Sequence, residues 1–278
     1  MLVTLKEILK IAQANKCAIG SFNTPNMTSL KAVIAAAEEK NQPVIIMHAQ
    51  VHEEMGLCKM EEMAPVMLFF ADRAKVPVCV HLDHGEDMNY VKRGLDLGFT
   101  SVMYDGSNLP TEINYANTSI IVNTAARYGA SVEAEIGSMG SRESGGAGGE
   151  SIYTDPDSAV DFVDATGIDA LACAFGTAHG VYLKAPKLDF DRLAKISSMV
   201  DVPLVMHGGS GVSHEDYKKV ISLGIRKINY YTYMSKAGGA AVAALKEQTF
   251  FHDIEIAAIE GMKKDVMSAI DVFSGGKK

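Results

Sequence analysis

Short apolar runs rich in β-branched residues alternate eight times along this chain with longer stretches of helical periodicity. Each run, with the helical stretch behind it, is typical of a βα unit in a parallel sheet. Eight units within 278 residues predict a single domain over residues 1–278, a closed (β/α)8 barrel of the TIM type. The predicted strands are Ala18–Phe22, Val44–Met47, Val78–Leu82, Ser101–Tyr104, Ser131–Glu135, Ala170–Ala172, Leu204–Met206 and Lys227–Asn229.

The stretches between these strands predict the outer helices of the barrel. Two further helices flank them: Thr4–Ala14 is expected to cap the N-terminal face, and Ile254–Phe273 to form an extra C-terminal helix. In such barrels the chemistry lies on the loops that follow the strands. The predicted outer helices are Met27–Lys40, Lys59–Ala74, Met88–Leu97, Leu109–Tyr128, Ala159–Thr166, Asp191–Val200, His214–Leu223 and Tyr233–Glu247.

Three histidines are predicted at the ends of different strands: His84 in HLDHG, His179 in FGTAHG and His207 in VMHGGSG. The strand ends of a closed barrel surround one mouth, so these imidazoles can meet there. Three neutral imidazoles with a fourth position open form the ligand set of a catalytic zinc ion. The pattern therefore predicts a zinc site at the C-terminal face.

Carboxylates occur at the same predicted rim. Asp83 precedes the ligand His84, and a nearby cation favours the ionised carboxylate that a general base needs. Asp105 in YDGS and Glu135 in VEAEIG are expected either to orient a ligand imidazole or to act as alternate metal ligands, and a plain ion pair is the other interpretation. His81 is expected to make a structural hydrogen bond.

Separate signals predict a phosphate site. The backbone of Gly208, Gly209 and Ser210 leads into a helix that begins near Ser213, which is a typical anion cradle. One strand later, Asn229 and Thr232 add two donors, and phosphate sites after the last two strands are frequent in barrels. The segment HGVYLK supplies Gly180 for close backbone approach and Lys184 as a point charge, unless that lysine is only solvated.

Residues 137–153, GSMGSRESGGAGGESIY, are rich in glycine and serine and have almost no apolar anchors. Such a composition favours a mobile loop. Because it follows the fifth predicted strand, at the catalytic face, an active-site lid is the alternative to a plain surface loop.

Seven segments between Phe22 and Thr232 resemble the class II, metal-dependent ketose-bisphosphate aldolases, a (β/α)8 barrel family that includes fructose- and tagatose-bisphosphate aldolases. The segments are HLDHG, YDGS, VEAEIG, YTDP, FGTAHGVY, VMHGGSGV and KIN..T. The resemblance implies zinc on the three histidines and Asp83 as the acid/base at the C4 hydroxyl of a phosphorylated ketose. It implies cleavage of the C3–C4 bond, with zinc as a Lewis acid stabilising the enediolate of dihydroxyacetone phosphate.

The resemblance also implies roles for the remaining residues. Glu143 matches the loop acid that moves the proton at C3, while Asp105 and Glu135 match positions that surround the metal or bind an alternate ion, with a monovalent cation as a candidate. A homodimer or homotetramer is expected from the same family. The positions that match its phosphate contacts are Gly180, Lys184, Gly208, Ser210, Asn229 and Thr232.

Three departures from the family pattern are present: the first two leave the sugar open, and the third leaves the loop acid open. Tyr231 stands where fructose-specific members usually carry an aspartate, and the segment His48–His52 replaces a small serine- or glycine-bearing loop. We weigh His48 and His52 equally as substrate contacts and as surface loop residues. Ser144 follows Glu143 in place of a second acid, so Glu150 is the other candidate for the loop acid.

Composition limits the function classes. A net charge of −8 argues against general nucleic-acid binding, and the absence of a long apolar stretch or a signal-peptide cleavage pattern predicts a cytoplasmic location without a membrane span. The four cysteines lack CxxC spacing and are expected to be free thiols. The alternatives to an aldolase of this type are a metal-dependent hydrolase, for which the strand-one His-x-His pair is missing, an aldolase for a more distant ketose phosphate, and a non-catalytic sugar-phosphate-binding barrel.

Overall fold

A computed structural model describes residues 1–137, 152–182, 184–246 and 250–276. In these residues, eight parallel strands, β2 to β9, pair in sequence order and close through the contact of β9 with β2, which confirms the predicted (β/α)8 barrel. A short strand, β1, pairs with β4 outside the ring. The strands are β1 Leu2–Val3, β2 Ile19–Asn23, β3 Val44–Ala49, β4 Val78–Gly85, β5 Ser101–Tyr104, β6 Ser131–Ile136, β7 Ala170–Cys173, β8 Leu204–Met206 and β9 Ile225–Tyr230.

Helices cover the outside of the barrel, and the apolar residues between helices and strands form its main core. The helices are α1 Leu5–Asn15, α2 Met27–Lys40, α3 Gln50–Glu54, α4 Met60–Arg73, α5 Met88–Asp96, α6 Thr111–Ala126, α7 Pro156–Thr166, α8 Phe190–Met199, α9 His214–Ser222, α10 Thr232–Ala243 and α11 Phe251–Phe273. The eight predicted outer helices agree within a few residues, apart from the last, which ends at Ala243 where Glu247 was predicted. Among the described residues no helix is both long enough and apolar enough to cross a membrane.

Helix α1 closes the N-terminal face of the barrel, as predicted. The Thr4 hydroxyl and the Glu7 carboxylate cap its first turn reciprocally. Its apolar face, with Leu5, Ile8 and Leu9, is fully buried against residues inside the strands such as Ile45. One end of the barrel is therefore filled by packing, and the polar chemistry lies at the other end.

Strand β4 extends to Gly85, three residues beyond its predicted end, and its last residues are paired irregularly with β5. Its pairing with β5 shifts register between Leu82 and Gly85, and His84 has a left-handed φ of 47°. In a regular strand, His84 would point away from the side to which Asp83 points. The bulge breaks this alternation, so both side chains reach the barrel mouth.

Helices α10 and α11 make the extra C-terminal layer, in which α11 packs on α10 and α2. The backbone N–H of Ala18 donates to the carbonyl of Phe273 at 3.0 Å and joins this layer to the start of β2. All four cysteines are free thiols, as expected. Of the proposed loop 137–153, residues 138–151 lie outside the described part of the chain.

Candidate active site

One cavity at the mouth of the barrel collects most of the residues singled out from the sequence. The bottom and walls come from the C-terminal ends of the eight barrel strands, β2 to β9, and from the loops that follow them, as the parallel barrel requires. Lys184 and His207 are the candidate residues that do not line it, and Glu143 and Glu150 are outside the described residues. The candidates that do line it are Asp83, His84, Asp105, Glu135, His179, Gly180, Gly208, Gly209, Ser210, Asn229 and Thr232.

The three predicted ligand histidines meet at one point. Nε2 of His84 lies 3.2 Å from Nε2 of His179 and 2.7 Å from Nδ1 of His207. One ligand atom from each ring lies within 4.8 Å of the others. A tetrahedral zinc ion with Zn–N bonds of about 2.0–2.1 Å separates its nitrogen ligands by about 3.3 Å, so the donor set fits such an ion.

Carboxylates fix the orientation of two of these rings. Nδ1 of His84 bonds Oδ2 of Asp105 at 2.7 Å, and Nε2 of His207 bonds Oε1 of Glu133 at 2.8 Å. With those nitrogens bonded to carboxylates, Nε2 of His84 and Nδ1 of His207 face each other at 2.7 Å, where a bound cation or a shared proton can lie between them. Burial lowers the pKa of His84, but the charges of Asp83 and Asp105 raise it to about 10, so the site favours positive charge.

His179 lies six residues beyond the end of β7 at Cys173, so its predicted place at a strand end is wrong. In the segment between Cys173 and His179, Ala178 approaches Gly208 in the loop after β8. A Cβ atom on Gly208 would lie 2.4 Å from the carbonyl oxygen of Ala178, and Gly208 has a φ of 61°. The glycine therefore sets the spacing between His179 and His207.

We expect Gly208→Ala to lower metal affinity about tenfold or more, because the added carbon pushes the two ligand-bearing loops apart. Titration of the apoprotein with zinc, monitored with a competing chelator, measures this change. Gly129→Ala is the matched control, because Gly129 has a similar φ of 68° but no atom within 4 Å of the added carbon. Equal affinity in the two variants would contradict the role of the loop contact.

Asp83 lies beside the three rings and is 4 % exposed. Its Oδ1 accepts from the amide of Asn229 and its Oδ2 accepts from the amide of Asn23, both at 2.9 Å. Burial raises the pKa of Asp83, but the positive charges of His84 and His207 hold it well below its ordinary value. An ionised carboxylate with two amides fixing its oxygens suits a positioned proton acceptor.

A fully buried ion pair lies beneath the three histidines. Nζ of Lys227 is 3.0 Å from Oε2 of Glu133 and donates to Oδ1 of Asn229 at 2.7 Å. Burial raises the pKa of Glu133, but Lys227 lowers it to about 2. Burial also lowers the pKa of His81 to about 3, and its Nδ1 bonds Ser101 as expected for a structural histidine. Lys227 thus connects to His207 through Glu133 and to Asp83 through Asn229.

We expect Lys227→Met to lower the free energy of unfolding by about 3–5 kcal/mol, because it leaves the Glu133 carboxylate buried without its cation. Denaturant unfolding of the metal-free protein measures the loss. The double variant Lys227→Met/Glu133→Gln removes both charges and is expected to recover part of the stability. A double variant less stable than the single one would contradict an uncompensated charge as the cause.

The predicted phosphate donors divide into two groups. The N–H of Gly209 donates to the carbonyl of Asn229, and the side-chain amide of Asn229 donates to Asp83 and accepts from Lys227, so these two residues already have partners inside the protein. Asn229 points inward because it shares a face of β9 with Lys227. Gly208, Ser210 and Thr232 line the cavity. Helix α10 begins there at Thr232 without a side-chain cap, so its first backbone N–H groups can donate to an anion.

Lys184 is exposed and is not among the residues that line the cavity, which agrees with the alternative that it is a solvated lysine. The hydroxyl of Tyr182 donates to the carbonyl of Gly208 and accepts from the N–H of Ala178, which anchors this loop before Lys184. Glu135 is 2 % exposed and forms a second possible cation group with His84 and Asp105. Burial and the charge of Asp105 raise its pKa well above the ordinary value.

The surface-loop interpretation of His48 and His52 is wrong. His48 is fully buried because it lies within strand β3, and His52 is 5 % exposed because the segment after β3 folds into the short helix α3. His52 and Tyr231 both line the cavity, with ring centroids 4.8 Å apart. Glu133, Asn23 and Lys227 are the other residues at the site that were not assigned a role from the sequence.

A closed barrel whose mouth gathers three imidazoles beside a buried carboxylate is the framework of an enzyme with a candidate metal centre. The model of the family Fructose-bisphosphate aldolase class-II matches residues 3–278. The chain therefore belongs to the class II aldolases, which confirms the resemblance drawn from its motifs and makes it a lyase.

Relatives of known sequence agree with this family. The chain is 42% identical over 245 residues to a fructose-bisphosphate aldolase of Geobacillus stearothermophilus, and 41% identical over 245 residues to a 6-phospho-5-dehydro-2-deoxy-D-gluconate aldolase of Halalkalibacterium halodurans. Each match covers 88% of this chain and 85% of the relative. The crystal structure of the YdjI aldolase from Escherichia coli K12 is 35% identical and has a TM-score of 0.86, over 98% of this chain and 97% of that chain.

Proposed function

We propose that this protein is a zinc-dependent aldolase that cleaves a phosphorylated ketose of the ketose 1,6-bisphosphate type to dihydroxyacetone phosphate and an aldehyde, or forms it in reverse. The observation that carries this proposal is the meeting of three imidazole nitrogens beside Asp83, whose two oxygens accept from Asn23 and Asn229. Such a site pairs a Lewis acid with a fixed base, and retro-aldol cleavage needs both.

The residues divide the reaction between them. His84, His179 and His207 would hold the ion, which when bound supplies a Lewis acid for the charge that develops on the oxygens of the dihydroxyacetone phosphate half. Asp83 accepts the proton of the C4 hydroxyl while the C3–C4 bond breaks. The loop acid Glu143, or Glu150, would return a proton to C3. Gly208, Ser210 and the start of α10 at Thr232 hold the phosphate with backbone N–H groups, next to Gly180.

The sugar is a separate question from the reaction. The two relatives named for different substrates are almost equally similar to this chain, at 42% and 41% identity, so identity does not choose between them. Tyr231 and His52 line the cavity and are the side chains at which this site differs from the family pattern. We also propose, from the family alone, a homodimer or homotetramer.

A substrate screen tests the proposal. Zinc-loaded protein is incubated with fructose 1,6-bisphosphate, tagatose 1,6-bisphosphate and ketose 1-phosphates, and dihydroxyacetone phosphate is measured by its NADH-dependent reduction. We expect release from at least one ketose and none from chelated protein. Binding of the same ketose phosphates in calorimetry, without release from any of them, would instead support a non-catalytic sugar-phosphate-binding barrel.

A further inference from the structure

The segment after β3 forms the wall of the cavity nearest to Asp83. In the parallel pairing of β3 with β4, Ala49 is the partner of Asp83, and α3 begins at the next residue, Gln50. His52 lies in the first turn of this helix, lines the cavity and is 5 % exposed. The side chain is therefore part of the cavity wall on the Asp83 side.

This wall is held by a polar network before any ligand arrives. Oε2 of Glu53 accepts from the hydroxyl of Tyr90 at 3.0 Å and from the N–H of Met60 at 2.9 Å, and its Oε1 accepts from Arg93 at 3.3 Å. Nε2 of His48 bonds the same Tyr90 hydroxyl at 2.9 Å. A helix fixed on both sides of His52 positions its ring without the loop having to order on binding.

The ring of His52 lacks a hydrogen bond that its burial demands. Its Nδ1 has no partner among the described residues, although an unpaired buried polar atom costs about 1–3 kcal/mol. The ring packs against Tyr231, with centroids 4.8 Å apart and planes inclined by 55°. An unpaired nitrogen in the wall of a cavity is expected to bind a group that enters the cavity.

The chemistry of that group follows from the ring. Burial lowers the pKa of His52, and the charge of Asp83 opposes this without reversing it, so the environment favours the neutral ring. A neutral imidazole offers one donor and one acceptor, which matches a hydroxyl, whereas a phosphate or carboxylate is better matched by a cation.

The position of His52 selects the half of the substrate. In the barrel the strands neighbour one another in the order β8, β9, β2, β3, β4. The proposed phosphate donors follow β8 and β9, on one side of β2, whereas His52 follows β3 and Asp83 lies at the end of β4, on the other side. A ketose that extends from the phosphate donors across Asp83 places the carbons beyond C4 against this wall. We propose that His52 is a specificity-determining residue that binds a hydroxyl of the aldehyde half, an inference that rests on the proposed aldolase function.

The test compares two aldehydes in the condensation direction with dihydroxyacetone phosphate. D-Glyceraldehyde and propionaldehyde have the same carbon chain, but only the first has hydroxyls. In His52→Leu we expect the ratio of kcat/KM for glyceraldehyde to that for propionaldehyde to fall by about tenfold to a hundredfold, because a hydroxyl in the cavity loses its partner. His52→Gln, which keeps a donor and an acceptor, is expected to restore part of the ratio.

Two further measurements separate specificity from structure. The first is the exchange with deuterium, followed by NMR, of the proton on the carbon of dihydroxyacetone phosphate that becomes C3 of the ketose. This exchange needs no aldehyde and should persist in His52→Leu. His252→Leu is the matched control, because His252 is an exposed histidine on α11, and it should keep the wild-type ratio.

Each result has one interpretation. An unchanged aldehyde ratio in His52→Leu, or equal losses with both aldehydes and in proton exchange, would overturn the role of His52. Wild-type protein that neither condenses the aldehydes nor exchanges the C3 proton would instead overturn the proposed function.

Discussion

Replacement of Asp83 by asparagine is expected to lower kcat for ketose cleavage by about 10²- to 10⁴-fold, the usual contribution of a positioned acid/base. The asparagine keeps the size of the side chain but cannot accept the proton of the C4 hydroxyl. It also turns an amide NH2 toward one of the two amides that now donate to the carboxylate, Asn23 and Asn229. The measurement is kcat for cleavage of the ketose that the substrate screen identifies.

Two controls distinguish a lost base from a damaged site. Zinc content should stay at the wild-type level in Asp83→Asn, because Asp83 is not one of the three ring ligands. Exchange of the C3 proton of dihydroxyacetone phosphate should persist, because the C4 hydroxyl takes no part in it. Cleavage at the wild-type rate in both Asp83→Asn and Asp83→Ala would refute the assignment of the base.

Replacement of His84 by alanine is expected to remove bound zinc and to lower kcat/KM by about a thousandfold or more, since a Lewis acid contributes several kcal/mol. His84 is central because its Nε2 faces both other ligand nitrogens, at 3.2 and 2.7 Å. Zinc per chain, measured by atomic emission, provides a readout that does not depend on activity. Exhaustive chelation of the wild-type protein should give a similar loss, reversed by added zinc.

His214→Ala is the matched control for this experiment, because His214 is an exposed histidine at the start of α9. It should keep both the zinc and the activity of the wild-type protein. Full activity in His84→Ala, or activity that survives chelation, would count against a metal-dependent reaction.

The barrel could be predicted because its signal is local. Each strand is a short apolar run and each helix has its own periodicity, so the order of elements is present in the sequence without any long-range contact. The boundaries failed where backbone geometry departs from the regular pattern. The bulge that carries β4 to Gly85, and the left-handed residue His84 within it, have no clear signal in HLDHG.

The support beneath the site could not be predicted, because it depends on pairs from distant strands. Glu133 and Lys227 lie on β6 and β9, which are separated in the sheet by β7 and β8, and they meet only inside the closed barrel. In VEAEIG, Glu133 and Glu135 share one face of the strand, so alternation does not say which of them lies deeper. Asn23 ends β2, and only the structure places its amide on Asp83.

The segment His48–His52 was misleading for a different reason. Its polar residues resemble those of a solvated loop. In the structure, however, the Glu53 carboxylate accepts hydrogen bonds from Tyr90, Met60 and Arg93, and this network holds the segment as helix α3. A buried polar network has the composition of a surface segment, and the difference lies in partners that are far apart in sequence.

The contact of Gly208 with Ala178 has a thermodynamic consequence. His207 is followed directly by the turn proposed to bind phosphate, and Gly208 contacts the loop that carries His179, so the two proposed binding events share one piece of backbone. Under the proposed function, occupancy of the turn by a phosphate would change the affinity of the histidines for their ion, and by reciprocity the ion would change the affinity for phosphate by the same factor.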